Sequence, residues 1–402
     1  MSKPEIRFNG FDGEWEEKNY KEVFDTSVSN NTFSRAELTS EKTSTKNVHY
    51  GDILIKYNSI LSVKKDDFPF IPDNVKVDSK NFLKNGDIVF ADTAEDETCG
   101  KAIEITDLEN ENVMAGLHTF VARPKFQFQE KYLGYFINSP AYHNQLIPYM
   151  QGTKVTSISK TNVQKTSVKY PNATEQTKIG NLFSQIDSLI SSTQKEHEKL
   201  VSLKKCMLQK MFPKKGSLVP EIRFKGFSGE WVEKKLGDCV EFLDSQRQPI
   251  EERNRITGPY PYYGASGIVD YVNGYIFDEE LILLSEDGAN ITDRNYPVCF
   301  LARGKYWVNN HAHVLKANKQ FDNDFLCNSL ELKDYTQYNS GMAMPKLNKE
   351  VCLNIPLLCS DFDEQQKIGS YFQNLDNLIS KQSAELEKLK NVKKTLLSKM
   401  FV

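Results

Sequence analysis

Residues 175–212, EQTKIGNLFSQIDSLISSTQKEHEKLVSLKKCMLQKMF, align without a gap to residues 364–401, EQQKIGSYFQNLDNLISKQSAELEKLKNVKKTLLSKMF, with 20 of 38 positions identical at an offset of 189. A unit this long that occurs twice excludes a solenoid of small repeats and demands a fold with two equivalent long elements. Both copies read as helix. With Ile179 at position a, the a series continues through Ile186, Thr193, Leu200 and Met207, and in the second copy it runs Ile368, Leu375, Gln382, Leu389 and Leu396. Neither copy contains proline, and each has a single glycine near its start, Gly180 or Gly369. Thirty-eight helical residues extend roughly 57 Å at 1.5 Å per residue. The apolar stripe covers a, d and e, so each helix is expected to touch more than one neighbour, through Ile179, Phe183, Ile186, Ile190 and Leu200 and through Ile368, Phe372, Leu375, Ile379 and Leu389. Polar Thr193 and Gln382 at equivalent a positions weaken the stripe while helping to fix register.

A shorter phrase is also duplicated. PEIRFNGFDGEW (4–15) returns as PEIRFKGFSGEW (220–231), ten of twelve residues identical at an offset of 216. The two offsets differ by 27, so the first copy carries that many more residues between like ends. The expected plan is a globular domain at 1–174, a helix at 175–212, a second globular domain at 213–363 and a second helix at 364–402. The intervening stretches read as mixed α/β with short strands: NGDIVFADT (85–93) and EELILLSEDG (279–288) are apolar runs bounded by turn residues, and KYWVNNHAHVLKA (305–317) alternates in the strand manner. Linkers are expected at 169–174 and 212–221. The fold class is α/β (α+β), two domains separated by two long helices packed as an antiparallel coiled coil with pseudo-twofold symmetry. Aromatic Phe8, Phe11 and Trp15, with Phe224, Phe227 and Trp231, are expected to pack each domain onto the helical frame.

Composition sets bounds. At 402 residues, 39% hydrophobic and 26% charged, the chain suits two or three globular domains. It has no apolar run near the eighteen or so residues of a membrane span and no signal-peptide h-region, so a cytoplasmic protein without membrane contact is expected. Seven cysteines without a C-x-x-C pair suit reduced thiols. No G-x-G and no G-x-x-x-x-G-K-[ST] occurs, which leaves no phosphate cradle for a dinucleotide or nucleoside triphosphate. No Pro-Pro pair occurs among fifteen prolines, which removes the Asn/Asp-Pro-Pro-aromatic signature of an amino-methyltransferase. His311 and His313 share a strand face at i, i+2 but lack a third ligand at a recognisable spacing, and no metal is assigned. Acidic turns at 278–280 and 286–288 define no nuclease centre, and no catalytic residue is assigned.

Net charge is −3, so any case for nucleic acid rests on local patches. Residues 131–174 hold no Asp or Glu, while Lys131, Lys154, Lys160, Lys165 and Lys169 are present; residues 294–321 are also acid-free and carry Arg294, Arg303, Lys305, Lys316 and Lys319. Local positive charge suits phosphates, and hydrogen-bonding side chains suit base edges. The candidate DNA contacts are Thr153, Lys154, Ser157 and Lys160 in the first domain, with Arg303, Lys305, Asn309, Asn310, His311, Met344 and Lys346 in the second.

The two EQ.KIG..F..[IL]D.LI helix starts, the EKL..[LV]KK…[QS]KMF helix ends and the paired GEW openings resemble the specificity (S) subunit of type I restriction–modification enzymes over essentially the whole chain. The segment YYGASGIVDYVNGYIFDEELILLSEDGANI followed by WVNNHAHVL is similar to a target-recognition domain of that family. The resemblance implies a non-catalytic subunit whose domains each read one half of an interrupted, asymmetric double-stranded DNA site. It also implies that the helices dock two modification (M) subunits, and that restriction (R) motor-nuclease subunits join the assembly. No cofactor is expected on this chain; S-adenosylmethionine, ATP and Mg²⁺ belong to the partners on this reading. A self-contained methyltransferase or nuclease fused to recognition domains, and a coiled-coil scaffold without DNA function, are the alternatives. The first lacks cofactor motifs, and the second leaves the acid-free stretches unexplained.

Overall fold

The computed structural model describes residues 3–402. The chain forms two compact units, one built from residues up to 193 together with 385–402, the other from 194–384. The repeated segments are helices, Ala173–Met211 and Phe362–Lys399, each beginning in one unit and ending in the other. Every unit is therefore built on the start of one long helix and the end of the other.

The duplicated opening phrase holds those two ends together. In the first unit the Ile6 N–H donates to the Lys399 carbonyl (3.0 Å), one of the last-turn acceptors that a helix leaves without an internal partner. One residue on, the Arg7 guanidinium grips Glu175 in the first turn of the other helix, with Nε–Oε1 and Nη2–Oε2 both 2.7 Å. Its Nη1 donates to the Gly13 carbonyl at 2.5 Å. The second unit repeats the arrangement: Ile222 N–H to the Lys210 carbonyl at 2.9 Å, Arg223 to Glu364 at 2.7 and 2.8 Å, and Arg223 to the Gly229 carbonyl at 2.6 Å. Glu175 and Glu364 are fully buried. Their position at a helix N-terminus adds the favourable dipole to a bidentate, charge-assisted pair.

The identical Glu-Gln-x-Lys-Ile-Gly residues that open both helices each have a mechanical role. Gln176 accepts from the Gln129 N–H and donates to the Pro171 carbonyl; Gln365 does the same with Asp322 and Ser360. Lys178 lies 4.9 Å from the Phe11 ring and Lys367 4.8 Å from that of Phe227, cation–π contacts with the opening phrase. Ile179 and Ile368 enter the cores. At Gly180 a Cβ would stand 2.8 Å from the Glu130 carbonyl oxygen, and at Gly369 it would overlap the Asp322 carboxylate, so glycine lets the globular part close on the helix.

The helix ends complete the cores. Phe401 packs on Trp15, Tyr132, Phe136 and Phe183 in the first unit, with ring centroids 5.6–6.3 Å apart. Phe212 takes the same place against Trp231, Phe325 and Phe372 in the second. An interhelical ion pair also recurs, Lys393–Asp187 in one unit and Lys204–Asp376 in the other, both 2.5 Å. Of the expected stripe, Ile179, Phe183, Ile186, Ile368, Phe372 and Leu375 are buried, while Ile190, Leu200, Ile379 and Leu389 are half-buried. Leu189 and Leu378, equivalent to each other, stay 53% and 49% exposed, so part of the stripe is uncovered.

On this frame each unit carries a mixed sheet. The first has a five-stranded sheet ordered Phe24–Asp25, Thr119–Pro124, Ile88–Ala91, Ala102–Thr106, Ile60–Ser62, and a three-stranded one ordered Phe70–Ile71, Thr45–Val48, Asn112–Ala115. The second has four strands ordered Val240–Phe242, Ala312–Ala317, Leu281–Ser285, Cys299–Ala302, and four more ordered Gly267–Val272, Thr257–Gly264, Lys305–Val308, Phe277–Asp278. A two-stranded ribbon recurs beside each helix start, Glu16–Asn19 with Ser167–Tyr170 and Val232–Lys235 with Pro356–Cys359. The alternation over 305–317 is not one strand. It breaks at Asn309–His311, where the Asn309 side chain accepts the His311 N–H at 2.8 Å, and its halves join different sheets. All seven cysteines are free thiols, and only Cys206 is exposed.

Arg7→Met leaves the Glu175 carboxylate buried without its counter-charge, a loss expected to cost about 3–5 kcal/mol. Adding Glu175→Gln should return much of it. Urea denaturation of wild type, both single variants and the double variant measures the coupling. Additive single effects would show that the two side chains do not act as a pair.

Candidate nucleic-acid interface

The strands deliver corresponding turns to one end of each unit. In the first, the turn Gly116–His118 precedes strand Thr119–Pro124, and the His118 carbonyl accepts the Asp92 N–H at 3.0 Å. In the second, the His311 carbonyl accepts the Glu286 N–H at 2.9 Å, just before strand Ala312–Ala317. A loop then closes over the same strand end. Ile158 N–H reaches the Asp92 carbonyl (2.9 Å) and Leu347 N–H reaches that of Glu286 (2.7 Å). Ser157 pairs with Thr93 as Lys346 bridges to Asp287. These matched bonds make His118 and His311 structural equivalents. Each imidazole lies beside a carboxylate supplied from an adjacent position: His118 Nδ1 is 3.3 Å from Asp92, and His311 Nδ1 is 2.9 Å from Asp287.

The loops share a backbone design. Gln151 and Ser157 exchange two backbone hydrogen bonds at 2.9 and 2.8 Å, and Ser340 N–H donates to the Lys346 carbonyl at 2.9 Å. Gly152 and Gly341 admit the carbonyl three residues on, Val155 or Met344, where any Cβ would overlap it. The Asn339 side chain also ties the feet of the second loop by accepting the N–H groups of Gly341 and Lys346.

Thr153, Lys154 and Ser157 are thus exposed together on the first loop. Lys160, in the short helix that follows, donates to the Thr26 carbonyl at 2.9 Å. Asn310, His311, Met344 and Lys346 come together at the corresponding end of the second unit, with Lys346 3.5 Å from Glu286. Asn309 joins them in sequence but is buried and engaged in its turn. Arg303 and Lys305 lie elsewhere. They sit at the other end of strand Leu281–Ser285, roughly 14 Å away at 3.4 Å per residue. The Arg303 fork is taken by Glu280 (2.5 Å) and Asp324 (3.0 Å), and Lys305 lies 4.7 Å from the Tyr275 ring.

Both acid-free stretches acquire acids from elsewhere in the fold. Lys169 meets Glu17, Arg294 meets Glu331 and Lys316 meets Glu279. Charge segregation in the sequence therefore does not become an uninterrupted basic face. His118 and Thr93 escaped the sequence reading because the unlike middles offer no repeat with which to align them.

Beneath the second loop lies a polar cluster in which half-buried Asp244, Arg247 and Glu286 surround buried His313. His313 faces Asp244 through Nδ1 and the Leu347 carbonyl through Nε2, both at 2.7 Å. Two acceptors require two N–H groups, so this ring is an imidazolium. Burial alone lowers its pKa, but the hydrogen bond to Asp244 and that carboxylate's charge, with Cys352 nearby, outweigh this, raising it to about 10. Burial opposes ionisation of Asp244, yet the His313 bond and charge hold its pKa below the ordinary value. Asp244, Glu286 and His313 have their ligand atoms within 4.8 Å of one another, but a ring with both nitrogens engaged in this way offers a metal no lone pair. The His-Ala-His pair separates accordingly, with His311 exposed and His313 buried in an ion-pair network.

Two α/β modules, each closed by an equivalent helix start and helix end and each ending in a corresponding turn and loop, define a duplicated architecture. A family model for the type I restriction modification DNA specificity domain matches residues 12–201 and again 228–391. The chain belongs to that family, whose members are DNA-recognition components and not catalytic subunits. It is 26% identical over 337 residues to a Methanocaldococcus jannaschii protein described as the MjaX specificity subunit, covering 78% of this chain and 77% of that one. A Haemophilus influenzae protein described as a type I specificity subunit is 33% identical over 156 residues, 39% of this chain and 40% of the relative. The MjaVIII specificity subunit of M. jannaschii is 26% identical over 183 residues, 43% of this chain and 42% of the relative. The chain thus spans about two-fifths of these last two relatives. The S subunit of M. genitalium shares the fold, with a TM-score of 0.70 at 17% identity over 100% of this chain and 99% of that one. Among the described residues, no helix is long and apolar enough to cross a membrane.

The His313 cluster makes a pH prediction. The folded pKa lies above the unfolded 6.5, so its contribution is fully present below pH 6.5 and is lost as pH rises through about 10. The melting-temperature gap between wild type and His313→Gln should be widest near pH 6 and narrow steadily towards pH 10. A gap constant over that range would show that the ring is neutral in the fold.

Proposed function

We propose that this chain is the sequence-specificity subunit of a type I restriction–modification complex, each unit reading one half of a bipartite, asymmetric, gapped site in double-stranded DNA. The observation that carries this reading is a shared frame with unlike faces. The second unit bears a ribbon, Thr257–Gly264 with Gly267–Val272, that exposes Ile268, Val269 and Tyr271. The first builds its small sheet from Phe70–Ile71, Thr45–Val48 and Asn112–Ala115. Like frames suit a common task, and unlike faces suit unlike half-sites. Two-stranded ribbons fit the major groove, where each base pair presents a distinct pattern.

The long helices dock two modification subunits on this reading. Each unit leaves matching apolar positions exposed, Leu189 with Val392 in the first and Leu378 with Leu203 in the second. A partner helix laid on each pair would finish the stripe. Equivalent surfaces imply two copies of one partner, and the similarity to a chain from a structure of type I complex assembly, TM-score 0.50 at 15% identity over 95% of this chain and 96% of that one, supports the same fold. Restriction subunits join that core, and S-adenosylmethionine, ATP and Mg²⁺ are carried by the partners, where methyl transfer and DNA translocation take place.

Sequencing modified adenines in cells that express the chain with its modification partner should reveal one two-part motif. Replacing residues 1–174 by another such domain should change one half alone. Simultaneous change of both halves, or a palindromic motif, would overturn the reading. Leu189→Glu and Leu378→Glu should each weaken modification-subunit binding about tenfold or more, read by co-purification and titration, with helix content unchanged. Undiminished binding in the double variant would remove the helices as the docking surface.

A further inference from the structure

The matched loops separate what the two units have in common from what distinguishes them. Their feet are alike. Gly152 and Gly341 each admit the carbonyl three residues on, Ile158 and Leu347 are both buried, and the two loops close on equivalent strand ends beside His118 and His311. The tips differ in chemistry, Thr153-Lys154-Val155 in the first unit and Met342-Ala343-Met344 in the second. Loops anchored alike but tipped with different side chains are what two readers of different sequences need.

The second tip is chemically distinctive. Met342 is fully exposed and Met344 is 61% exposed, and no residue from 342 to 345 carries a hydrogen-bonding side chain. The loop itself is well anchored: Gly288 N–H donates to the Pro345 carbonyl at 3.0 Å, and Asn339 ties both feet. Two flexible, polarisable thioethers are thus presented to solvent on a fixed base. Such side chains read base pairs by apolar contact, and the only apolar group on a base edge in the major groove is the thymine 5-methyl. The first tip offers a hydroxyl at Thr153 and an ammonium at Lys154, both exposed and one residue apart. A lysine ammonium matches the O6 and N7 acceptors of guanine.

We infer that these two three-residue tips are specificity-determining elements, the Met342–Met344 tip reading a thymine methyl in one half-site and the Thr153–Lys154 tip reading guanine acceptors in the other. This rests on the DNA-reading function proposed above and adds the residues and the base chemistry. It also separates Arg303 and Lys305, at the other strand end, from base readout.

The test grafts one tip onto the other frame. The assembly of this chain with its modification subunit is prepared as wild type, as Met342→Thr/Ala343→Lys/Met344→Val and as Thr153→Met/Lys154→Ala/Val155→Met, and modified adenines are sequenced after exposure to genomic DNA. Each graft is expected to change the preferred base in one half of the motif and leave the other half unaltered. The milder Met342→Ala/Met344→Ala variant keeps both glycines and every anchoring bond. It should lower discrimination for a thymine-containing pair roughly 10- to 100-fold in competition binding, with unrelated DNA bound as before. An unchanged motif in both grafts would overturn the inference, as would a uniform loss of affinity on all DNA. A wild-type assembly that yields no two-part motif would instead refute the DNA-reading function itself, which keeps the two failures distinct.

Discussion

The buried pairing of Arg7 with Glu175, repeated as Arg223 with Glu364, is the contact on which the rest of the structure depends. It ties an opening phrase to the first turn of a long helix, 168 residues away in the first unit and 141 in the second. One residue before each arginine, an isoleucine N–H caps the last turn of the other long helix. Two antiparallel helix ends are thereby gripped by adjacent residues of one short segment. The glutamates are wholly buried, so the pair functions less as a source of net stability than as a constraint. Either charge alone would be costly inside the protein, and only one arrangement pairs both.

Because each long helix starts in one unit and finishes in the other, neither half of the chain contains a complete core. Phe401, two residues beyond the second helix, fills the space between Trp15 and Phe183, and Phe212 does the same beside Trp231 and Phe372. The repeat in sequence is therefore not the repeat in space. A sequence boundary at residue 174 or 212 follows the duplicated segments, whereas packing groups the first 193 residues with 385–402. The helix starts, the helix ends and the opening phrases must stay constant together, since each touches the other two. The sheets and loops carried on this frame are free of that requirement.

Much of this was legible because an internal repeat supplies a comparison within a single chain. The two helices, their glycines and the aromatics of the opening phrases could be read from identity and a 3.6-residue period. The site was legible only in part. Met344 and Asn310 lie together at one end of the second unit and Thr153 at the corresponding end of the first, whereas Arg303 sits beside the other end of strand Leu281–Ser285 with its fork engaged by Glu280 and Asp324. His118 carried no signal, since its equivalence to His311 resides in backbone hydrogen bonds and not in spacing. The strand expected over 305–317 failed at Asn309 because alternation of apolar residues cannot show that a side chain will cap a turn.

By itself the sequence determined the number of parts, the long helices and which residues had to remain the same in both halves, because these follow from periodicity and duplication, which are local or self-referential. Only the tertiary structure decided what the shared residues are for. An arginine and a glutamate 168 positions apart become a clamp, basic stretches lose their charge to acids from other parts of the fold, and two loops of unlike sequence close on equivalent strand ends. Each of these depends on which distant groups meet in a low-dielectric interior or across a sheet, and no local pattern encodes that meeting.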